Sequence, residues 1–164
     1  TEIRRWLDDR LVFLAQPADN LAARAVLRLK RDPGDAAARR ELDLRFSQLR
    51  QADPEIRAIR IYGADGEPLA GTVAAAQEDV LLPPFDLTHA DAIRQVHAAG
   101  KPVLVDFHRH DGNALPVLDV LAPLHDDPEA GGRIVGLVLF EIDPSHGFYP
   151  LLDTWPVPSR TAET

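Results

Sequence analysis

Near the start of the chain, hydrophobic positions recur at helical spacing. Ile3, Leu7, Leu11 and Leu14 succeed one another at intervals of 4, 4 and 3, and Trp6 and Phe13 widen the stripe. Thr1 is a candidate cap, and Pro17 interrupts the pattern. Leu21, Ala25, Val26 and Leu29 predict a second helix that ends at the turn Asp32-Pro33-Gly34, where Asp35 is placed to cap the next helix. Leu42, Phe46 and Leu49 mark that third helix, which closes near Ala52, Asp53 and Pro54. From Glu55 the period falls to two. Ile59 and Ile61 alternate with Arg60 and Tyr62, Gly63 to Gly66 turns the chain, and residues 67–73 return as the second arm of a hairpin. Between 74 and 87 the pair Pro83-Pro84 disfavours regular structure and predicts a loop that packs through Leu82 and Phe85. A short helix carrying Ala92, Ile93 and Val96 comes next, capped by Asp86 or Thr88 and stopped at Gly100. Three further strands are expected over 101–109, 114–124 and 133–143, with turn-rich connections that favour antiparallel pairing. In the last of them Ile134, Val138, Phe140 and Ile142 share one side, while Val135, Leu137 and Leu139 share the other. Both faces must therefore be covered, which predicts a central strand.

Three helices, a hairpin, a helix and a three-strand meander predict an α+β fold, and 164 residues with 45% hydrophobic content suffice for one ordinary core. A net charge of -8 argues against nucleic acid, which rewards a clustered basic footprint. Sixteen of the 18 basic residues are Arg, many of them early in the chain. Asp8, Asp9, Asp32, Asp35, Glu41 and Asp43 are interleaved with these, as on a solvated helix face. No apolar run approaches the roughly 18 residues of a membrane span, and no signal-peptide pattern opens the chain. The start at Thr1 and the proline-rich ending from Phe148 suggest a piece of a longer protein, with residues 148–164 as a connector to a further region. With no Cys and no Met, thiol and thioether oxidation have no substrate here, and the compartment stays open on that count.

Two groups of residues are candidates for binding. Along the strand from Lys101, Asp106, His108 and His110 form a polar row at period two beside the apolar row Val103, Val105 and Phe107. Three readings of that row stand: a solvent-facing row, contacts to a small polar or anionic ligand in which a protonated imidazole takes part, or a metal site. The spacing matches no familiar metal-ligand signature, so no metal or cofactor is assigned. On the first strand, Arg57, Arg60 and Tyr62 are suited to gripping a carboxylate, two parallel guanidinium bonds being joined by a phenol. Their plainer reading is the exposed face of an edge strand. Asp106, Asp119 and Glu141 are carboxylates that could converge, but such groups are too common in an acidic domain to indicate glycoside chemistry. The turn with Asp126, Asp127 and Glu129 is read as a solvated loop ahead of a divalent-cation site. No G-x-S-x-G, phosphate-cradling Gly loop or H-E-x-x-H occurs and no Cys can act as nucleophile, so the chain is expected not to be an enzyme, with a hydrolase of unrecognised site as a remote option.

The order of elements resembles that of extracytoplasmic PAS-like sensor domains, the group called PDC or Cache. Leu49 to Tyr62 with the later Gly66 is similar to that family's first strand and turn, Ala98 to Asp106 to the entry of its third strand, and Gly136 to Asp143 to its fifth. Tyr149 to Glu163 resembles a segment in the sensory regions of membrane-bound bacterial histidine kinases and diguanylate cyclases. The resemblance implies a five-stranded antiparallel sheet with a long N-terminal helical arm, divided as arm 1–53, sensor domain 54–147 and connector 148–164. It further implies a periplasmic or extracellular input module of an inner-membrane receptor, whose kinase or cyclase lies across the membrane. The implied partner is an unidentified small molecule, for which Arg57, Arg60, Tyr62, Asp106, His108 and His110 are the candidate contacts. The chain does not display the aromatic and arginine pattern associated with amino-acid-binding members. A homodimer through the N-terminal helix is a further expectation, and the alternative function is a protein-interaction or dimerisation module with no small-molecule ligand.

Overall fold

The computed structural model describes residues 2–15, 20–73, 87–108, 117–127 and 131–153. Helices α1 (Glu2–Ala15), α2 (Asn20–Arg31) and α3 (Ala36–Ala52) lead into strands β1 (Ile56–Gly63) and β2 (Pro68–Val73). Helix α4 (Leu87–Ala99), strands β3 (Val103–His108), β4 (Val117–His125) and β5 (Ile134–Ile142), and the short helix α5 (Phe148–Asp153) complete the order. All strand pairs are antiparallel, in the spatial order β2-β1-β5-β4-β3. The strand expected to be central is central. β1 is not an edge strand, because β2 and β5 flank it, and the reading of its polar residues as an exposed edge face fails for that reason.

Local chemistry sets the helix boundaries. Gly34 N–H donates to Asp32 Oδ1 at 2.9 Å and closes the turn, and Ala38 N–H donates to Asp35 Oδ1 at 2.9 Å as the N-cap bond of α3. The Ala38 amide, and after it the Arg28 guanidinium at 3.0 Å, hold the Asp35 carboxyl below the usual carboxylate range, so this acid also ties the end of α2 to the start of α3. Gly100 ends α4 in the left-handed region at φ +63°, where its N–H reaches Val96 O at 2.8 Å. Of the two caps expected for α4, Thr88 lies inside the helix and Asp86 lies outside the described residues. So do the loop predicted around Leu82 and Phe85, and Pro17.

The sheet carries a hydrophobic layer on each face, as the two-sided pattern of β5 requires. On one face Val26, Leu29, Leu42 and Phe46 of α2 and α3 pack against Ile59, Ile61, Leu118, Val120, Phe140 and Ile142, with Trp6, Leu7 and Leu11 of α1 at the margin. On the other, Ala92 and Val96 of α4 pack against Tyr62, Val105, Leu121, Leu137 and Leu139. Gly136 permits the close approach of α2, because a Cβ there would lie 2.9 Å from Val26 Cγ1 and 3.1 Å from Tyr62 O.

At one end of the sheet, helix α1 is fastened by charge and by rings. Arg10 pairs with Asp53 at 3.0 Å and with Glu55, and its guanidinium lies 5.5 Å from the Trp6 ring. Trp6 in turn packs on Phe148 of α5 with ring centroids 5.4 Å apart. Removing the guanidinium leaves the buried Asp53 carboxylate without its partner ion. Arg10→Ala is accordingly expected to cost about 1–3 kcal/mol in urea unfolding and, in a Trp155→Phe background, to shift Trp6 emission to the red as α1 loosens.

Candidate functional site

The face of the sheet under α4 is not wholly apolar. Period two brings Arg60 and Tyr62 of β1, Asp119 of β4 and Glu141 of β5 to the side shared by Leu121, Leu137 and Leu139. All four are buried: relative exposure is 4% for Arg60, 2% for Tyr62, 0% for Asp119 and 6% for Glu141. Asp119 stands directly opposite Glu141 across the β4–β5 pair and opposite Val105 across β3–β4. Arg60, diagonal to Glu141 across β1–β5, reaches it with Nη2 2.8 Å from Oε1.

Tyr62 completes the group. Burial pushes its phenol up to about 12, with Arg60 opposing the shift through its charge and a hydrogen bond, and the Glu141 and Asp119 carboxylates reinforcing it. The phenol therefore stays protonated throughout the physiological range. Arg60 Nε is a buried donor with no hydrogen-bond partner among the described residues. In chemical terms the cluster offers a planar guanidinium for an oxygen acceptor, two carboxylates for a donor or cation, and a neutral phenol, all walled by aliphatic side chains. No group of three or more His, Cys, Asp or Glu suited to a metal ion occurs among the described residues.

Of the residues nominated from sequence, the fold brings Arg60 and Tyr62 together and sets Arg57 apart. Arg57 lies where the β1–β5 register shifts between Ile56 and Ala58, and its charge helps to hold the Asp143 carboxyl low against the opposing effect of burial, together with bonds from Ser145. Asp106 is the additional residue where the β3–β4 register shifts between Val105 and Phe107. Val105 therefore faces Asp119 in register and Phe107 faces Leu118, and the unbroken alternation assumed for residues 103–110 does not hold. His108 is opposite Val117, and His110 lies outside the described residues. The reading from sequence did not join Asp119 and Glu141 to Arg60, although a signal was present. Each is a single acid inside a strand that is otherwise apolar, on the face that period two assigns to the core, and a buried acid requires a buried partner.

Two grooves lie elsewhere. One of about 240 Å³ runs between α2 and α3, lined by Ala22, Ala25, Leu42, Leu44, Arg45 and Gln48 among others, and one of about 300 Å³ sits beside Trp6, Arg10 and Asp53. Both are apart from the buried polar groups under α4.

The five-stranded antiparallel sheet with helices on both faces is the PAS-like fold that the resemblance implied. Solved structures of that fold match over most of the chain. The extracellular domain of a protein described as a histidine kinase, vpHK1S-Z8, aligns with a TM-score of 0.63 at 13% identity, covering 88% of this chain and 55% of that one. The ligand-binding domain of the Pseudomonas aeruginosa PAO1 amino acid chemoreceptor PctB, in complex with L-Gln, aligns with a TM-score of 0.53 at 17% identity, covering 87% of this chain and 50% of that one. A domain of a sensory box/GGDEF family protein from Vibrio parahaemolyticus gives a TM-score of 0.51 at 13% identity, covering 87% and 62%. The chain thus spans roughly half to three-fifths of the structures it matches. No family model matches the chain, and no curated protein is significantly similar to it in sequence.

Two outcomes are expected of the cluster. Arg60→Met removes the guanidinium that pairs with the buried Glu141 carboxylate and should cost about 3–5 kcal/mol, whereas Arg60→Met combined with Glu141→Met should recover part of that loss in urea unfolding. Tyr62 sets an alkaline slope. Its folded pKa of about 12 exceeds the ordinary 10.0, so its contribution is intact below pH 10 and is lost as pH rises towards 12. The loss amounts to roughly 2–3 kcal/mol, at 1.36 kcal/mol per unit. Tyr62→Phe should abolish that part of the slope in denaturation series run between pH 9 and 12.

Proposed function

We propose that this chain is the extracytoplasmic input of a bacterial signal-transduction receptor, and that a small molecule bound beneath α4 changes the packing of the sheet against the N-terminal helices. The observation that carries the proposal is the buried Arg60, Tyr62, Asp119 and Glu141 group on one face of a sheet with the sensor fold. Interior charges are costly to retain for stability alone, and recognition of a polar ligand gives them a use. In this reading the site recognises and does not transform its ligand. PctB is described in complex with an amino acid, which supports a small polar ligand for a chain of the same fold.

The route outward runs through the strands that carry the cluster. Glu141 lies two residues before Asp143, whose N–H donates to Glu55 O at 2.8 Å, and the Glu55 side chain holds Arg10 of α1. A ligand that binds one of two packings more tightly would shift α1 and α5 together, and only such differential binding can carry a signal. Residence in the periplasm or outside the cell, tethering to the inner membrane and pairing of two copies along α1 belong to the same proposal. Exposed Val12 on α1 supports the pairing. Among the described residues no helix is long and apolar enough to cross a membrane.

A second reading, a protein-interaction module without a small ligand, draws support from the groove between α2 and α3 and from Leu44, which is 63% exposed at its rim. Thermal-shift screening with small metabolites separates the two. A compound present at 100 times its Kd adds about 2.7 kcal/mol, which raises Tm by roughly 5–10 °C in a chain of this size, and Tyr62→Phe should diminish the shift. If no compound gives a Tyr62-dependent shift, small-molecule sensing at this face is rejected and the interaction module is favoured.

A further inference from the structure

Charge and an aromatic ring also gather at the seat of α1, apart from α4 and independently of the function proposed above. A cavity of about 300 Å³ there, at the lower end of the range for small-molecule sites, is lined by Trp6, Asp9, Arg10, Ala52 and Asp53. Asp9 and Arg10 follow Trp6 by three and four residues on α1, which puts all three on one side of the helix. Ala52 and Asp53 are the last residue and the C-cap of α3, so the partially negative end of a 17-residue helix meets the same space. An indole face, carboxylates and a helix C-terminus each attract positive charge. The lining holds two carboxylates against one guanidinium, and Arg50, the basic residue in the last turn of α3, is not part of it.

Arg10 shows which cation these groups accept. Its Nη1 lies 3.0 Å from Asp53 Oδ2 and its Nη2 3.1 Å from Asp53 Oδ1, Nη2 also reaches Glu55, and the guanidinium carbon is 5.5 Å from the Trp6 ring. Both terminal nitrogens of that guanidinium are therefore committed. Asp9, by contrast, is exposed and enters no ion pair among the described residues, although it lines the cavity with the same ring. A second guanidinium would find in Asp9 an open partner for two parallel hydrogen bonds and in Trp6 a flat apolar surface. The carboxylates of Asp9, Asp53 and Glu55 would offset its repulsion from Arg10. A quaternary ammonium would keep the charge and lose the N–H bonds, and a urea would keep the N–H bonds and lose the charge.

We infer that the cavity at the seat of α1 binds a small alkylguanidinium, which bridges Trp6 and Asp9 of α1 to the C-terminal end of α3. Three compounds isolate the chemistry: N-butylguanidinium is the probe, N-butylurea is its neutral counterpart of nearly the same shape, and butyltrimethylammonium is a cation with no N–H. Isothermal titration of the whole chain at neutral pH, at concentrations too low to denature it, is expected to rank butylguanidinium tightest, by about threefold or more over each of the others. In the Trp155→Phe background, Trp6 emission should change saturably with the same Kd. Asp9→Asn, which alters an exposed side chain and so leaves the fold intact, should weaken butylguanidinium by about threefold or more. Tyr62→Phe, on the opposite face of the sheet, should leave its affinity unchanged. The inference is overturned by an absence of saturable butylguanidinium binding, by equal or tighter binding of either comparison compound, or by an Asp9→Asn chain that binds as well as the unaltered one. Binding that depends on Tyr62 and not on Asp9 places the cation beneath α4 and likewise overturns it, while the sensing proposal is left standing.

Discussion

An arginine, two acidic side chains and a phenol buried on one face of a β-sheet constrain the rest of this molecule. A charge taken out of water is retained only where a partner charge and hydrogen bonds offset the loss of hydration. The Arg60–Glu141 contact supplies the partner, and it exists only because β1 lies beside β5 in the register that sets Ala58 opposite Glu141 and Arg60 opposite Leu139. A slip of one residue in that pairing would send Arg60 to the face packed by α2 and α3, among Val26, Leu29 and Phe46. The ion pair thus specifies register as well as forming the site.

The two sides of the sheet divide the physical tasks. The face towards α2 and α3 is continuous aliphatic and aromatic packing, closed tightly enough that Gly136 has no room for a Cβ beside Val26. That side resists deformation, as close-packed interiors do. The face towards α4 has a smaller apolar cluster and all four buried polar residues of the central strands. In the function proposed here, a ligand exchanging contacts with the second face would work against a stiff backing.

Much of this architecture was legible in the sequence, for specific reasons. The Asp32-Pro33-Gly34 turn with Asp35 as cap, the change of period at Glu55 and the stop at Gly100 rest on local chemistry that one segment contains in full. The central place of β5 was implied by its two apolar sides. The register shift at Asp106 was not, because a bulge arises from the pairing of two strands and leaves no mark on the alternation of one. For the same reason Arg60 and Tyr62 could be nominated from β1 alone, whereas Asp119 and Glu141 became their neighbours only through a strand order that sets β1 beside β5 and not beside β3. Arg57 was grouped with Arg60 as a second guanidinium on the same strand, and the structure sets it at the register shift between Ile56 and Ala58, where its charge acts on Asp143.

The site and the ends of the described chain share a short covalent and hydrogen-bonded path. From Arg60 the contact to Glu141 leads along β5 to Asp143, across its amide to Glu55, through the Glu55 carboxylate to Arg10, and from Arg10 to Trp6 and Phe148. Such a path does not by itself make a switch, because transmission requires an element with two arrangements that both ends bias. The joint of α1 has the composition such an element needs. Among the described side chains α1 is held to the sheet end by one guanidinium shared between Asp53 and Glu55, by two rings packed at a tilt, and by Leu7 and Leu11 at the margin of the core. Charge and ring contacts of this kind are individually worth about 1 kcal/mol. A binding event of ordinary affinity exceeds that amount several times over, so differential binding beneath α4 is energetically sufficient to reset the seat of α1 while leaving the core behind the sheet intact.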